Sequence, residues 1–370
     1  MKTAVVGPFP PYRGGIAQFS SRLLKSLGDC FPQHEFVPVS YRRLYPGILF
    51  PGTSQFQPED DSAPCDAIGM IDSVNPFRWI SARNFFSKQS FDRVVVQWWH
   101  PFFAPCLAAS VPGAIRSVAV CHNVIPHESF PFSSRIAKAY LRKMNGLVVH
   151  SRTDLEAART VAPEKHVLQL YHPIYDQYRK DSVSRVSARR DLGYSDDARI
   201  VLFFGLIRPY KGVQDLLRAM GSLPKDINLL IVGECYSGKD EILGIIDDLE
   251  LQNRIRWIDR FVPDEEVALY FNAANIVALP YREATQSGVA QIALSFGRVL
   301  VLTDTGGLSE LVDEGSTGFL AEPWSPSSLA GAVRSAFRLA SETTTKTRIE
   351  EKAASFSWEN YSSKLMELLS

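Results

Sequence analysis

The chain has 370 residues, of which 45% are hydrophobic and 22% are charged, and its formal net charge at pH 7 is zero. This length exceeds what one ordinary hydrophobic core supports, so we expect two domains. The even charge balance argues against a protein that binds nucleic acid through many phosphates. The five cysteines are scattered without a CxxC spacing, which indicates neither a disulfide framework nor a zinc site.

The N-terminal segment and the hydropathy of the chain indicate where the protein works. MKTAVVGPFPPYRGG contains only a short apolar run, broken by Gly and Pro, which is too short for the core of a signal peptide. No stretch approaches the roughly 18 consecutive apolar residues that a membrane span requires. We therefore expect a cytoplasmic protein that contacts a membrane at most peripherally.

Short apolar runs that alternate with helical patterns recur along the chain. Runs of Val, Ile and Leu of this kind are typical of parallel strands that are buried on both faces of a sheet. A polar segment at residues 172–198 interrupts the alternation, and residues 41–75 have the composition of a long surface excursion. The sequence therefore predicts an α/β protein with two doubly wound domains. The predicted strands lie in KTAVVGPFP, RVVVQWW, SVAVCHN, GLVVHS, RIVLFFG, NLLIVGE, NIVALP and VLVLTDTGG.

Ligands of doubly wound sheets bind beyond the carboxyl ends of the strands, where loops offer backbone amides and helix N-termini. After the first strand, Gly14 and Gly15 open a helix, and they either let the backbone approach an anion or form a plain turn. After RIVLFFG, Arg208 and Lys211 precede a helix, where two cations suit a pyrophosphate; a solvated surface pair is the alternative. A G-x-G-x-x-G fingerprint is missing, which disfavours a dehydrogenase.

Two further strand ends carry polar residues. His122 follows the strand SVAVC, where a lone histidine is either structural or functional. Residues 283–288 follow the strand NIVALP and precede the apolar helix GVAQIALSFG. Small residues there expose amides at a helix N-terminus, and Thr285, Gln286 and Ser287 add side chains that bind hydroxyls and phosphates. We predict that residues 283–288, called the lip below, form a binding loop.

Taken together, these segments resemble the retaining glycosyltransferases of the GT-B fold, and specifically glycosyltransferase family 4. The resemblance covers nearly the whole chain, and it depends on the order and spacing of the segments more than on any one of them. The segments are PPYRGGI, the HN after a buried strand, VVHSRTDLE, FG..RPYKG, GECY, DRFVPDEEVALYFNAANIVALPY, SG...A...G, TDTGGLSELV and FSWENY.

The resemblance implies two Rossmann-like domains that face a cleft. Residues 1–172, joined by a closing helix at 358–370, would form the acceptor domain, and residues 173–357 would bind the sugar nucleotide. The family moves a sugar from a nucleoside diphosphate sugar to a hydroxyl with retention of anomeric configuration, without a bound metal or other cofactor. The expected acceptor is a saccharide or lipid-linked saccharide in polysaccharide or glycoconjugate biosynthesis.

The resemblance also implies roles for individual residues at the strand ends. Arg208 and Lys211 would hold the diphosphate of the donor, and Gly15, preceded by Gly14, would bring its amide to the same group. His122 would lie beside the donor sugar, orient a hydroxyl and help to stabilise the reacting centre. Cations and helix amides would thereby stabilise the charge on the leaving diphosphate, which a metal ion does in other enzymes.

The lip would hold the sugar hydroxyls and phosphate through side chains and amides. Glu310, in GGLSELV, either contacts the donor or supports this loop from behind. The lip residues expected at the site are Glu283 at the catalytic centre and Thr285, Gln286, Ser287 and Gly288 against the donor.

The sequence departs from the family pattern at three places. Leu206 stands where the family has an arginine after the first glycine of the second domain, and Arg208 follows two residues later. Ile292 falls where a second glutamate grips the ribose, and Glu283 lies one position from the expected first glutamate. The alternative is therefore a non-catalytic sugar-nucleotide-binding partner subunit. An epimerase relative would need a pair of carboxylates near the lip, and none is found there.

The acceptor side is less marked in the sequence. Trp99 and His100, in VVVQWWHPFFAP, are candidates because sugars stack on flat apolar rings. Residues 133–147 place Ile136, Tyr140 and Met144 on one helical face beside several basic residues. This segment is either an ordinary surface helix packed on its own domain or a peripheral contact with the anionic inner face of the plasma membrane.

Overall fold

The computed structural model describes residues 1–46, 55–56, 66–124, 131–180, 182–284 and 286–370. The chain forms two compact units, each with its own sheet and core. Unit 1 consists of Met1–Tyr171 and Trp358–Ser370, and unit 2 is His172–Ser357.

Unit 1 contains a seven-stranded sheet within the described residues, and all of its strand pairs are parallel. The strands have the order β3-β2-β1-β4-β5-β6-β7, so the winding direction reverses between β1 and β4. The strands are β1 Lys2–Val6, β2 Glu35–Arg43, β3 Ile68–Asp72, β4 Arg93–Trp98, β5 Arg116–Cys121, β6 Gly146–Val149 and β7 His166–Gln169. The helices are α1 Gly15–Cys30, α2 Pro76–Gln89, α3 Ala104–Ser110, α4 Ser133–Leu141, α5 Arg152–Val161 and α13 Trp358–Leu369.

Strand β4 shows why the apolar runs are continuous. Val94 and Val96 point into the core on one face of the sheet, and Val95 points into the core on the other face. Successive side chains of a strand alternate between faces, so a strand covered on both sides needs apolar residues at every position. The second of these cores includes α13, whose Ser362 hydroxyl lies 2.7 Å from that of Ser26 in α1.

Unit 2 contains a six-stranded parallel sheet with the order β10-β9-β8-β11-β12-β13. The winding reverses between β8 and β11, which matches the position of the reversal in unit 1. The strands are β8 Arg199–Phe204, β9 Ile227–Val232, β10 Ile255–Ile258, β11 Ile276–Leu279, β12 Val299–Thr303 and β13 Gly318–Ala321. The helices are α6 Arg185–Asp191, α7 Val213–Gly221, α8 Lys239–Asp248, α9 Asp264–Ala273, α10 Gly288–Ser295, α11 Pro326–Ala340 and α12 Thr345–Ala354.

The prediction of two Rossmann-like parallel-sheet units is confirmed, and the interpretation of residues 41–75 is wrong in part. Strand β2 continues to Arg43, and β3 occupies 68–72 within that segment. Both strands lie at one edge of the sheet, where half-exposed positions tolerate the polar residues that concealed them. Residues 47–54 and 57–65 lie outside the described residues.

The apolar face predicted for residues 133–147 is buried in unit 1. Helix α4 ends at Leu141; Tyr140 stacks on Trp98 with ring centres 4.9 Å apart, and Met144 is also buried. Ile136 packs against the same core. This segment is therefore an ordinary surface helix whose apolar face is covered by its own unit. Among the described residues, no helix is long and apolar enough to cross a bilayer.

Candidate functional site

The reversal of winding in unit 2 brings the loops after β8 and β11 together. Gly212 has a φ of 65°, and a Cβ atom added there would lie 2.0 Å from the carbonyl oxygen of Pro280. The backbones thus approach so closely that only glycine fits. A crevice at such a reversal is the usual place for a ligand of this fold.

Both predicted cations lie in the loop after β8. Lys211 is half-buried at the end of a 3₁₀ turn, Pro209–Lys211, with its Nζ 5.2 Å from the centre of the Tyr281 ring. Burial lowers the pKa of Lys211, and the charge of Arg208 acts in the same direction. Arg208 itself lies over the Tyr236 ring, 5.4 Å from its centre. A half-buried ammonium in these surroundings gains from an anionic ligand.

A buried ion pair that sequence analysis missed fixes these two loops. The guanidinium of Arg282, just after β11, donates two hydrogen bonds of 2.8 and 2.9 Å to the carboxylate of Asp215 in α7. The backbone N–H of Arg282 also donates to the carbonyl of Tyr210, at 2.7 Å. The guanidinium lies 3.8 Å from the ring centre of Trp324, an exposed tryptophan with a φ of 62°. The pair therefore locks the loop after β11 onto the loop that carries Lys211.

The lip begins as an exposed loop and ends in a capped helix. Glu283 is exposed, Gln286 is half-buried, and Thr285 lies outside the described residues. Ser287 is buried, and its Oγ accepts a hydrogen bond of 3.4 Å from the backbone N–H of Ala290, which caps α10. The amides of the first turn of α10 and the capping serine therefore stand at the place predicted for donor binding.

Buried aromatic residues lie beneath the lip. A Cβ atom added to Gly288 would lie 3.1 Å from the Tyr175 ring, so this glycine lets α10 pack closely on that ring. The Tyr175 hydroxyl lies 3.3 Å from Nε2 of His172, and burial lowers the pKa of His172 to about 4. Burial also raises the pKa of Tyr281 to about 12, with the nearby Ser287 acting in the opposite direction. Both hydroxyls and the imidazole are therefore uncharged near neutral pH.

Hydroxyl groups at the end of β12 and just after it hold the backbone that leads into the lip. The Thr303 hydroxyl donates to the carbonyl of Tyr281, and the Thr305 hydroxyl donates to that of Arg282 at 3.5 Å. Glu310 is half-buried in the 3₁₀ turn Ser309–Leu311 that follows. The backbone just before the lip is thus anchored to the end of β12.

In unit 1, the glycines after β1 face open space. Gly14 has a φ of 109° and precedes Gly15, the first residue of α1. A Cβ atom at either position would meet no other atom within 4 Å. The backbone at the start of α1 is therefore accessible to a ligand, and Gly14 has the conformation that glycine adopts most readily.

His122 lies in a row of polar side chains at the carboxyl ends of β4, β5 and β6. It is buried, and its Nε2 donates to Oε1 of Gln97 at 2.8 Å. The Phe19 ring meets it edge-on at 4.9 Å, and the His150 ring centre lies 5.4 Å away. Sequence analysis missed Gln97 and His150, although each is a polar residue at the end of an apolar run, VVVQ and GLVVH. Three polar side chains thus lie together at the carboxyl ends of these strands.

Trp99 and His100 have structural roles in the loop after β4. The Trp99 indole donates to the Tyr45 hydroxyl at 3.1 Å, and its ring packs 4.3 Å from that of Phe103. Nδ1 of His100 accepts the backbone N–H of Phe102 at 3.2 Å and caps a short 3₁₀ turn. Both residues are half-exposed. Their position at the reversal of winding in unit 1 keeps them candidates for acceptor binding.

The comparisons with known proteins agree with this architecture. Residues 198–338 match the family model of glycosyl transferases group 1. Over 238 residues the chain is 30% identical to D-inositol 3-phosphate glycosyltransferase of Corynebacterium glutamicum. The aligned region covers 61% of this chain and 54% of that enzyme. The same enzyme of Corynebacterium efficiens is 30% identical over 236 residues, 60% of this chain and 53% of the relative. The chain thus spans about half the length of these curated relatives, and the matches support the prediction of a glycosyltransferase.

Solved structures show the fold over the whole chain. Sucrose-phosphate synthase from Thermosynechococcus elongatus superposes with a TM-score of 0.76 at 17% identity, covering 100% of this chain and 98% of that one. Anabaena HepE in complex with UDP-glucose gives 0.74 at 16% identity, with 99% of both chains covered. The prediction of the GT-B fold is confirmed.

Within residues 198–338, two of the three departures from the family pattern, Leu206 and Ile292, have different surroundings. Leu206 is half-buried after β8, and Ile292 is buried in the apolar core of unit 2. Next to Ile292, the side-chain amide of Gln291 is fully buried and has no hydrogen-bond partner among the described residues. The described residues contain no group of three or more His, Cys, Asp or Glu side chains placed to hold a metal ion.

Proposed function

We propose that this protein is a retaining, metal-independent glycosyltransferase of family 4. It moves a sugar from a nucleoside diphosphate sugar to a hydroxyl of a saccharide or lipid-linked saccharide acceptor, in polysaccharide or glycoconjugate biosynthesis. The observation that carries this proposal is the half-buried Lys211 ammonium beside Arg208, at the reversal of winding in the group 1 domain. The names of the relatives and the UDP and UDP-glucose complexes of HepE support it.

In the proposed reaction, Lys211 and Arg208 bind the diphosphate and stabilise its charge as it leaves. The amides that begin α10 and the Ser287 hydroxyl hold phosphate and sugar oxygens, and Gly14 and Gly15 bring backbone to the diphosphate. The bond between the anomeric carbon and the phosphate oxygen breaks while the acceptor oxygen bonds to that carbon on the same face. The acceptor proton passes to the departing phosphate oxygen.

His122 and the residues near it are proposed to act on neutral groups. With Nε2 held by Gln97, the ring of His122 has a fixed orientation for a sugar hydroxyl. Glu283 is assigned to the catalytic centre, Glu310 to a donor contact, and Trp99 and His100 to the acceptor. The cytoplasm is the proposed location, which the four described cysteines support because none of them forms a disulfide.

The test is calorimetric titration with UDP, GDP and ADP, each in excess EDTA and then with Mg²⁺. We expect one nucleotide to bind with micromolar affinity in EDTA, and Lys211→Ala to weaken it, while Lys225→Ala, at an exposed lysine elsewhere in unit 2, leaves it unchanged. Transfer is then assayed with the matching nucleotide sugar and with saccharide, lipid-linked and D-inositol 3-phosphate acceptors. Binding only with Mg²⁺ would overturn metal independence.

The second candidate is a non-catalytic sugar-nucleotide-binding subunit. Leu206 and Ile292, apolar where the family has an arginine and a glutamate, favour it. This candidate predicts nucleotide binding without turnover of any nucleotide sugar, by hydrolysis or transfer. Release of free sugar from the bound donor, abolished by His122→Ala, would exclude it.

A further inference from the structure

A cationic pocket lies in unit 2 away from the candidate donor site. Its volume is about 300 Å³, and four of its lining side chains are cations, Arg179, Lys180, Arg298 and Lys346. The amide of Asn272 also lines it. The remaining described lining residues are apolar or glycine, so none of the described lining residues is a carboxylate; Asp181 lies outside the described residues.

The pocket and the donor loops lie at opposite ends of the strands in the unit 2 sheet. Arg298 directly precedes β12, and Asn272 lies in α9 just before β11, so both are at the amino ends of strands. The donor loops follow the carboxyl ends of β8 and β11. Helix α10 connects the two places: Ser287 caps its beginning, and Phe296 and Gly297, after its end, line the pocket. An eight-residue helix such as α10 spans about 12 Å and separates the two places.

Arg298 is the best-defined cation of the pocket. Its Nη2 donates to Oδ1 of Asn272 at 3.3 Å, whereas its Nε is buried and has no hydrogen-bond partner among the described residues. Burial lowers the pKa of Arg298 to about 10, and the charges of Arg185 and Arg189 act in the same direction. A buried donor without an acceptor is costly. Because the Arg298 side chain lines the pocket, an oxyanion there would gain charge-assisted hydrogen bonds from its guanidinium.

The charges around the pocket are only partly compensated within the described residues. Lys346 lies 3.8 Å from the carboxylate of Glu350, but both side chains are exposed, so the pair contributes little. Asp196 and Asp197 act on Arg189, whose guanidinium is otherwise used on the Ala273 carbonyl and Asn275. These carboxylates do not line the pocket.

A structural role at the end of α10 explains one cation but not four. A positive side chain near a helix C-terminus is stabilised by the helix dipole, an effect that fades within one turn. Arg179 and Lys180 come from a different segment, after the 3₁₀ turn Asp176–Tyr178, and Lys346 comes from α12. Cations from three separate segments converge on one cavity, where a ligand of opposite charge would contact all of them.

We propose that this pocket binds a soluble, phosphate-bearing small molecule. Guanidinium groups pair with phosphate through two parallel hydrogen bonds, and lysines add charge without fixed direction. The cavity volume matches the lower end of small-ligand sites. The site is separate from the proposed donor site and holds whether or not the proposed transfer reaction is correct.

The experiment titrates inorganic pyrophosphate by calorimetry at low ionic strength. All proteins carry Lys211→Ala, because pyrophosphate also fits the proposed donor site. We expect binding in this background, weakened at least about tenfold by the added pair Lys180→Gln and Lys346→Gln. Lys225→Gln, an exposed lysine outside the pocket, serves as the matched control and should leave the affinity unchanged. No binding in the Lys211→Ala background, or equal weakening by the control, overturns the proposal.

Two further measurements separate related outcomes. Arg298→Lys keeps the charge but removes the guanidinium that can donate two parallel hydrogen bonds to phosphate, so it should weaken pyrophosphate binding. Thermal unfolding of this variant reports whether its fold is intact. The source of the phosphate is tested by sedimentation with phosphatidic acid vesicles against phosphatidylcholine vesicles. The protein could bind the vesicles through Lys180 and Lys346 and fail to bind pyrophosphate. That result would identify a lipid headgroup as the ligand and overturn the proposal. Nucleoside diphosphate binding, measured with Lys211 intact, should not change in the double variant.

Discussion

The two sheets share a strand order, yet the loops at their reversals of winding are built from different chemistry. In unit 2 those loops carry charges: Lys211, Arg208 and the buried pair of Asp215 and Arg282. In unit 1 the ends of β4, β5 and β6 carry the amide of Gln97 and the imidazoles of His122 and His150, with His122 held by Gln97. Under the proposed function, one topology serves two kinds of ligand group, an anion in unit 2 and hydroxyls in unit 1.

The largest expected effect tests whether the charges of unit 2 hold its loops together. Asp215→Asn removes one partner of a pair whose two side chains are both largely buried, which costs ~3 to 5 kcal/mol of unfolding free energy. Urea unfolding of wild type and variant measures this. The control is Asp226→Asn, which breaks the pair of the exposed Asp226 with the half-buried Arg199 at an expected cost of ~1 kcal/mol or less. Equal losses would show that the pair does not lock the loops.

A pH effect comes next, because unit 2 keeps a neutral histidine beneath the lip. Nδ1 of His172 donates to the Pro173 carbonyl, and its Nε2 faces the Tyr175 hydroxyl. Its pKa falls from an ordinary 6.5 to about 4 on folding, so between these values the unfolded chain binds more protons than the folded one. Stability should therefore decrease by ~3 kcal/mol as the pH falls through this window.

Urea unfolding at several pH values, with wild type and His172→Gln, measures the contribution of His172. The variant should lack this part of the acid loss. If both proteins lose stability in parallel between pH 6.5 and 4, other groups are responsible for the loss.

The contrast between the units is sharpest in ligand affinity. Lys211→Ala should weaken nucleoside diphosphate binding by ~1.5 to 3 kcal/mol, the scale of a lost charged hydrogen bond. His122→Ala, in unit 1, should leave that affinity within about twofold and reduce transfer instead, because His122 is assigned to a neutral hydroxyl. Calorimetry and a transfer assay on the same preparations separate the two effects. The reverse pattern would exchange the roles of the two units.

The smallest effect concerns Gln291, whose buried amide has no partner among the described residues. Gln291→Leu removes this unsatisfied group and should stabilise the protein by ~1 kcal/mol in thermal unfolding, without changing nucleotide affinity. Gln291→Glu is the opposed variant and should destabilise, because it buries a charge. A drop in nucleotide affinity with Leu would mean that the amide serves the donor directly.

The parts of the fold that were predictable are those where both faces of a strand are buried. Runs such as RVVVQWW and RIVLFFG predict buried strands, because a strand covered on both sides accepts apolar residues throughout. The edge strand β3, Ile68–Asp72, was not predicted, because its half-exposed positions allow polar residues. The place of the closing helix, 358–370, in unit 1 came only through the resemblance.

For the candidate site, loops and glycines were predictable but partners were not. Lys211 and Gly14 stand in turns that local sequence marks as special. The pair of Asp215 and Arg282 joins residues 67 positions apart, and Gln97 meets His122 across two strands, so no local pattern reports either contact. Residues 133–147 show the same limit, because an amphipathic face does not reveal what covers it.

The return of the chain to unit 1 at α13 has a consequence for protein synthesis. Trp358, Tyr361 and Leu365 complete the core that Phe19 and Val95 begin. Unit 1 therefore cannot close that core until about 200 further residues have left the ribosome, ~10 to 40 s after Tyr171 is made. Unit 2 is contiguous and reaches its full set of contacts first. During this interval the nascent first half exposes an apolar groove, so chaperones that bind such grooves should engage the first unit of this chain longer than the second.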